Sequence, residues 1–108
     1  MDDLVAKFMP QFVASARAQM AKVGRWVVRR DQAEKKAILR EIHSLKGDAG
    51  MLELVEVVLL AKDCEEKVKP LHADSTEADV EHVVAALRQL EAVIAGIEAA
   101  YPSKVRRP

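Results

Sequence analysis

From Leu4 to about Arg29 apolar residues recur at helical spacing, through Phe8, Phe12, Ala16, Met20, Val23 and Val27, with polar residues filling the other faces. Pro10 interrupts this stretch. A proline removes an amide donor but suits a first helical turn, so the pattern predicts a short lead-in helix before it and a long helix after it. Asp31, with Glu34 three residues on, has the form of a capping box and marks the start of a second long helix. Its seam is Ile38, Ile42, Leu45, Ala49 and Leu52, at intervals of four, three, four and three residues, the spacing of a helix in an antiparallel bundle.

Gly47 and Gly50 weaken that helix near its end, and a third apolar segment opens at Glu53 or Leu54 and runs to Pro70. Leu54, Val57, Val58, Ala61, Cys64 and Val68 form its expected inner face, with Val55, Leu59 and Leu60 expected to make core contacts on a second side. Leu71 to Ser75 reads as a polar connection, and Thr76 with Asp79 caps a last helix that continues to Tyr101, before Pro102. That helix has a regular seam in Val80, Val83 or Val84, Leu87, Leu90, Ile94, Ile97 and Tyr101. The sum is an all-α, antiparallel up-down four-helix bundle with a short N-terminal lead-in helix, forming one domain over 1–103, and a basic tail over 104–108 that is expected to fray.

Composition narrows the function classes. Lys plus Arg and Asp plus Glu both number 17, so no net field exists to hold nucleic acid or an acidic membrane surface. No apolar run approaches a membrane span, and the N-terminus opens with Asp2 and Asp3 where a signal peptide would carry positive charge. One cysteine, Cys64, allows no internal disulfide and suits a reducing compartment, so a cytoplasmic monomer is the expectation. Three histidines without convergent spacing offer no metal site, and no phosphate-binding glycine loop or kinase signature is present.

The informative segment is Ile42-His43-Ser44-Leu45-Lys46-Gly47-Asp48-Ala49-Gly50-Met51-Leu52. On a helix, His43, Lys46 and Gly47 share a face, and the row Lys36, Leu39, Arg40, His43, Lys46, Gly47 and Gly50 lies beside the buried seam, towards solvent. An imidazole, with an unperturbed pKa of about 6.5, is largely neutral near pH 7 and can attack an electrophile with one ring nitrogen without a helper base. A phosphoryl group placed there carries about two negative charges, which Lys46 one turn on, together with Arg40 one turn before, can stabilise. A mid-helix glycine costs roughly 0.5–1 kcal/mol relative to alanine, so Gly47 calls for a reason, and open access to His43 is one. His72 and His82 have no such Lys-Gly partner and read as surface residues.

The run His43-Ser44-Leu45-Lys46-Gly47, followed by Leu52 and an apolar helix containing Cys64-Glu65, resembles the signature of histidine-containing phosphotransfer (HPt) domains. The variant Lys-Gly-Asp-Ala-Gly-Met over residues 46–51 is especially similar to the phosphotransfer domain of chemotaxis-type histidine kinases, which leaves open a phosphoacceptor domain of such a kinase as well as a phosphorelay carrier. A structural helical bundle without phosphotransfer is the third possibility. The resemblance implies that His43 accepts the phosphoryl group, Lys46 stabilises it and Gly47 admits a receiver domain. It also implies a phosphoryl carrier in two-component signalling rather than an enzyme, with receiver domains and a sensor histidine kinase as partners, Mg²⁺ in the receiver and no cofactor in this chain. Asp48 and Glu53 stand where many family members have serine and glycine. Pairing of the first two long helices predicts that residues near Ser15, Ala18, Gln19 and Lys22 lie level with His43, so Gln19 and Lys22 join Lys36, Leu39, Arg40 and Gly50 as expected docking residues. Trp26 is placed at the rim or edge of the bundle.

Overall fold

In a computed structural model, which describes residues 2–101, the chain forms α1 (Asp2–Arg29), α2 (Lys35–Met51), α3 (Val55–Val68) and α4 (Glu77–Ala100). The expected tail over 104–108 lies outside the described residues. Each helix packs against its neighbours in the chain, and α4 closes the square against α1, giving an up-down-up-down bundle. No described helix is long and apolar enough to cross a membrane.

The split expected at Pro10 does not occur, because α1 runs unbroken through it. Met9, Phe12 and Val13 are all buried, so core packing on both sides of the proline offsets a missing amide bond and ring clash that cost about 3 kcal/mol in an unsupported helix. The inner face is the one expected at Phe12, Ala16, Met20, Val23 and Val27, and differs at its start and at Trp26. Met9 takes the core position and Phe8 is 45% exposed, while Trp26 is a core residue whose indole Nε1 donates to the Asp31 carbonyl at 2.8 Å. A buried indole with its one donor satisfied is a stable anchor for the α1–α2 corner.

That corner is built differently from the capping box read in the sequence. The Asp31 carboxylate accepts from the Ala33 amide at 3.0 Å, and the Glu34 amide bonds the Asp31 carbonyl at 3.0 Å, so a single 3₁₀ turn, Gln32–Glu34, leads into α2. Thr76, by contrast, caps α4 as expected, its hydroxyl accepting from the Asp79 amide at 3.2 Å. The connection from Leu71 to Ser75 is not wholly polar, since Leu71 is buried in the core. Its backbone is tied down by cations from the opposite corner. Lys35 donates to the Leu71 carbonyl at 2.7 Å, and the Arg30 guanidinium donates to the carbonyls of His72 and Ala73.

Between α2 and α3 the Leu54 amide reaches the Ala49 carbonyl at 2.9 Å and the Glu53 amide reaches the Gly50 carbonyl at 3.1 Å, a Schellman-type helix ending. The residue in the left-handed position is Glu53, at φ 60°, where glycine is the usual occupant. Two buried clusters stack along the bundle, one around Val27, Ile38, Ile42 and Val83 and one around Phe12, Leu45, Ala49 and Leu90. His43 therefore leaves α2 at mid-height, where the two clusters meet.

Candidate functional site

The seam of α2 is read correctly from the sequence at Ile38, Ile42, Leu45 and Ala49, all buried, with Leu52 half-buried. These residues hold α2 in a rotation that turns His43 outward, and its side chain is 72% exposed. The ring leans towards α3, where Nδ1 stands 3.9 Å from a carboxylate oxygen of Glu65. The other oxygen of the same carboxylate accepts from Lys46 Nζ at 2.9 Å. Glu65 is only 14% exposed, and its carboxyl is held below the usual carboxylate range, chiefly by the Lys46 hydrogen bond and charge working against partial burial. One anionic group thus ties the lysine and faces the inner nitrogen of the histidine, leaving the outer nitrogen to solvent.

Gly47 lies one turn from His43, and a Cβ built there meets nothing within 4 Å. Nothing inside the fold requires glycine at this position. At Gly50 the same atom would stand 4.0 Å from Val58, so Gly50 faces α3.

Lys36 and Arg40 are exposed and, among the described residues, have no carboxylate within ion-pair distance, whereas Leu39 packs partly on the core. Gln19 and Lys22 lie elsewhere. Lys22 pairs with Glu41 at 3.1 Å, and Glu41, two residues before His43, lies about 200° round the helix from it. The α1 side of α2 and the His43 side are separate flanks, and the structure gathers Gln19 and Lys22 on the first. The Oε1 atom of Gln19 is buried there without a hydrogen-bond partner. Asp48, seven residues after Glu41, shares that flank and is turned away from His43. Cys64 is buried, its thiol pushed up to about 11 by burial, which makes it a core residue rather than a nucleophile.

A family model described as Hpt domain matches residues 7–100. The chain belongs to the Hpt domain family. No curated protein and no solved structure matches it. Family membership makes this Hpt domain a phosphotransfer carrier of two-component signalling. The residue that sequence reasoning misses is Glu65, which in the sequence stands only as part of the Cys64-Glu65 signature. Its signal was the register of the α2–α3 hairpin, because an acid on the α2-facing row of α3 opposite Lys46 can be found only once the two helices are aligned.

Proposed function

We infer that His43 is the phosphoacceptor of this Hpt domain and that it exchanges its phosphoryl group with the aspartate of a receiver domain in the cytoplasm. The observation that carries this reading is the exposed imidazole with its inner nitrogen towards Glu65, Lys46 beside it and open space over Gly47. With the ring proton on Nδ1, facing the carboxylate, the lone pair at Nε2 points to solvent. It attacks the phosphorus of an aspartyl phosphate in line. The nitrogen–phosphorus bond forms as the phosphorus–oxygen bond breaks, the receiver's carboxylate leaves with the electron pair, and the Nδ1 proton stays on the ring. The positive charge that develops on the ring is met by Glu65, and the charge on the phosphoryl oxygens by Lys46, which can reach them by leaving or sharing its bond to Glu65. The receiver is expected to bring its own Mg²⁺.

The test is to incubate the protein with a phosphorylated receiver domain and Mg²⁺ and look for an acid-labile, base-stable phosphoryl adduct. His43→Gln abolishes the adduct on this reading, whereas His72→Gln and His82→Gln retain it. A wild-type chain that several receivers and kinases fail to label, or a His43→Gln variant that is still labelled, sinks it. The run Lys46 to Met51 favours a second reading, a phosphoacceptor domain of a longer chemotaxis-type kinase, and efficient ATP-dependent labelling by such a kinase's catalytic domain would support it.

A further inference from the structure

Glu65 has a cation on either side of it along the bundle axis. The antiparallel hairpin sets Gly50 against Val58 and His43 against Glu65, so Lys46 comes to the carboxylate from the Gly50 side. Lys69, one turn beyond Glu65 on α3, stands on the other side. Although Pro70 follows it, Lys69 keeps helical dihedrals, φ −51° and ψ −48°, and its amide donates to the Glu65 carbonyl at 3.1 Å. Four residues on is about 40° round a helix and three residues on is about 60° the other way, so Lys69 lies nearer the row of Glu65 than that of Glu66. By the same geometry Lys62 lies nearer Glu66. A glutamate followed four residues later by a lysine is also the favourable order for a helical pair. Lys69 is exposed and forms no ion pair among the described residues. Its charge nevertheless helps to hold the Glu65 carboxyl below the usual carboxylate range, after Lys46 and ahead of His43.

The chemistry at His43 makes a demand that Lys46 alone does not meet. Lys46 reaches the phosphoryl oxygens by leaving or sharing its bond to Glu65, and the carboxylate it leaves is only 14% exposed and stands beside a group carrying about two negative charges. Like charges with little water around them repel, and a partly covered carboxylate without a partner is costly. We propose that Lys69 is a positioning residue for the transfer: as Lys46 turns to the phosphoryl group, Lys69 closes on the Glu65 carboxylate. The inference rests on the functional reading above and deepens it. No bond forms or breaks at Lys69, and no proton moves there. The exchange of cations keeps Glu65 paired and turned to the Nδ1 proton of the ring, and it frees Lys46 for the phosphoryl oxygens.

Two measurements test this. The first is the titration midpoint of the Glu65 carboxyl, followed by carbon-13 NMR in the unphosphorylated protein, with Lys46→Met standing in for the departure of Lys46. Lys69→Met raises the midpoint by about 0.5 in the Lys46→Met protein and by less than about 0.2 in wild type, because Lys69 closes on Glu65 only once Lys46 has gone. Equal changes in the two proteins overturn the proposal, since Lys69 is then a fixed neighbouring charge. The second is the equilibrium distribution of the phosphoryl group between His43 and a receiver phosphorylated with acetyl phosphate in Mg²⁺. Lys69→Met lowers the share on His43 by roughly threefold, and Lys69→Arg restores it. In a Glu65→Gln protein Lys69→Met changes the share by less than about 1.5-fold, because the lysine acts through the carboxylate. A threefold loss there overturns the proposal, since Lys69 then acts on the phosphoryl group or the receiver directly. Lys62→Met leaves both measurements unchanged, and helical circular dichroism checks that each variant is folded. Failure of either test in a protein whose His43 takes label removes the role of Lys69 and leaves the functional reading standing. Wild-type protein that takes no label on His43 overturns the functional reading and this role with it.

Discussion

The two flanks of α2 carry the same ion pair in different settings. On the α1 flank Lys22 meets Glu41 at 3.1 Å, and on the α3 flank Lys46 meets Glu65 at 2.9 Å. Lys22 and Glu41 are more exposed, stand alone, and have no nucleophile within their reach. Glu65 is mostly covered, faces His43 with its second oxygen, and holds Lys46 one turn from the ring. A largely exposed pair such as Lys22–Glu41 contributes about 0–1 kcal/mol. What separates them is what stands beside them, and the rotation of α2 about its buried seam decides that.

The sharpest test of this contrast is a pair of truncations. Lys46→Ala should slow transfer to His43 by roughly 10–100-fold through loss of a charge-assisted contact to the phosphoryl group, while Lys22→Ala should leave it within about twofold. Single-turnover transfer rates check both, and equal effects would dissolve the distinction between the flanks. Gly47→Leu should lower transfer by roughly tenfold by crowding the approach while raising thermal stability, because open space surrounds the position and glycine costs a helix about 1 kcal/mol. A loss of stability in that variant would show that glycine serves the fold instead.

Acid sensitivity probes the α3 flank next. The Glu65 carboxyl titrates below its ordinary value of 4.5, so the stability it contributes is fully present above that range and is lost as the pH falls through the lowered folded value. Glu65→Gln should flatten the acid limb of a pH–stability curve, which chemical denaturation between about pH 3 and 7 would show. At the junction that ends α2, Glu53→Gly should stabilise the fold by about 1 kcal/mol by relieving a left-handed backbone at a non-glycine residue, which chemical denaturation would detect. The smallest change, a few tenths of a kcal/mol, is expected for Lys22→Ala/Glu41→Ala.

Where periodicity alone sets the answer, the reading from the sequence matches the structure closely. The buried positions of α2 and the Thr76 cap of α4 needed no tertiary information, because a seam spacing and a side-chain cap are local properties of the chain. Errors arose where tertiary packing overrode local propensity. Pro10 is carried inside α1 by buried neighbours on either side, Phe8 yields its place to Met9, and Leu71 is drawn from a polar loop into the core. Val55 and Leu59 were expected to be covered, and whether a helix in a four-membered square has two packed sides or three cannot be read from its own residues.

The sequence by itself determined the all-α class, the seam of α2, and the single face shared by His43, Lys46 and Gly47, since helical geometry follows from residue spacing alone. Only the tertiary structure decided which neighbour that face meets. The register and handedness of packing brought Glu65 to His43 and Lys46, gathered Gln19 and Lys22 on the other flank of α2, and left Met51, Val55 and Leu59 in solvent. Those outcomes depend on contacts between residues far apart in the chain, which periodicity within one helix does not encode.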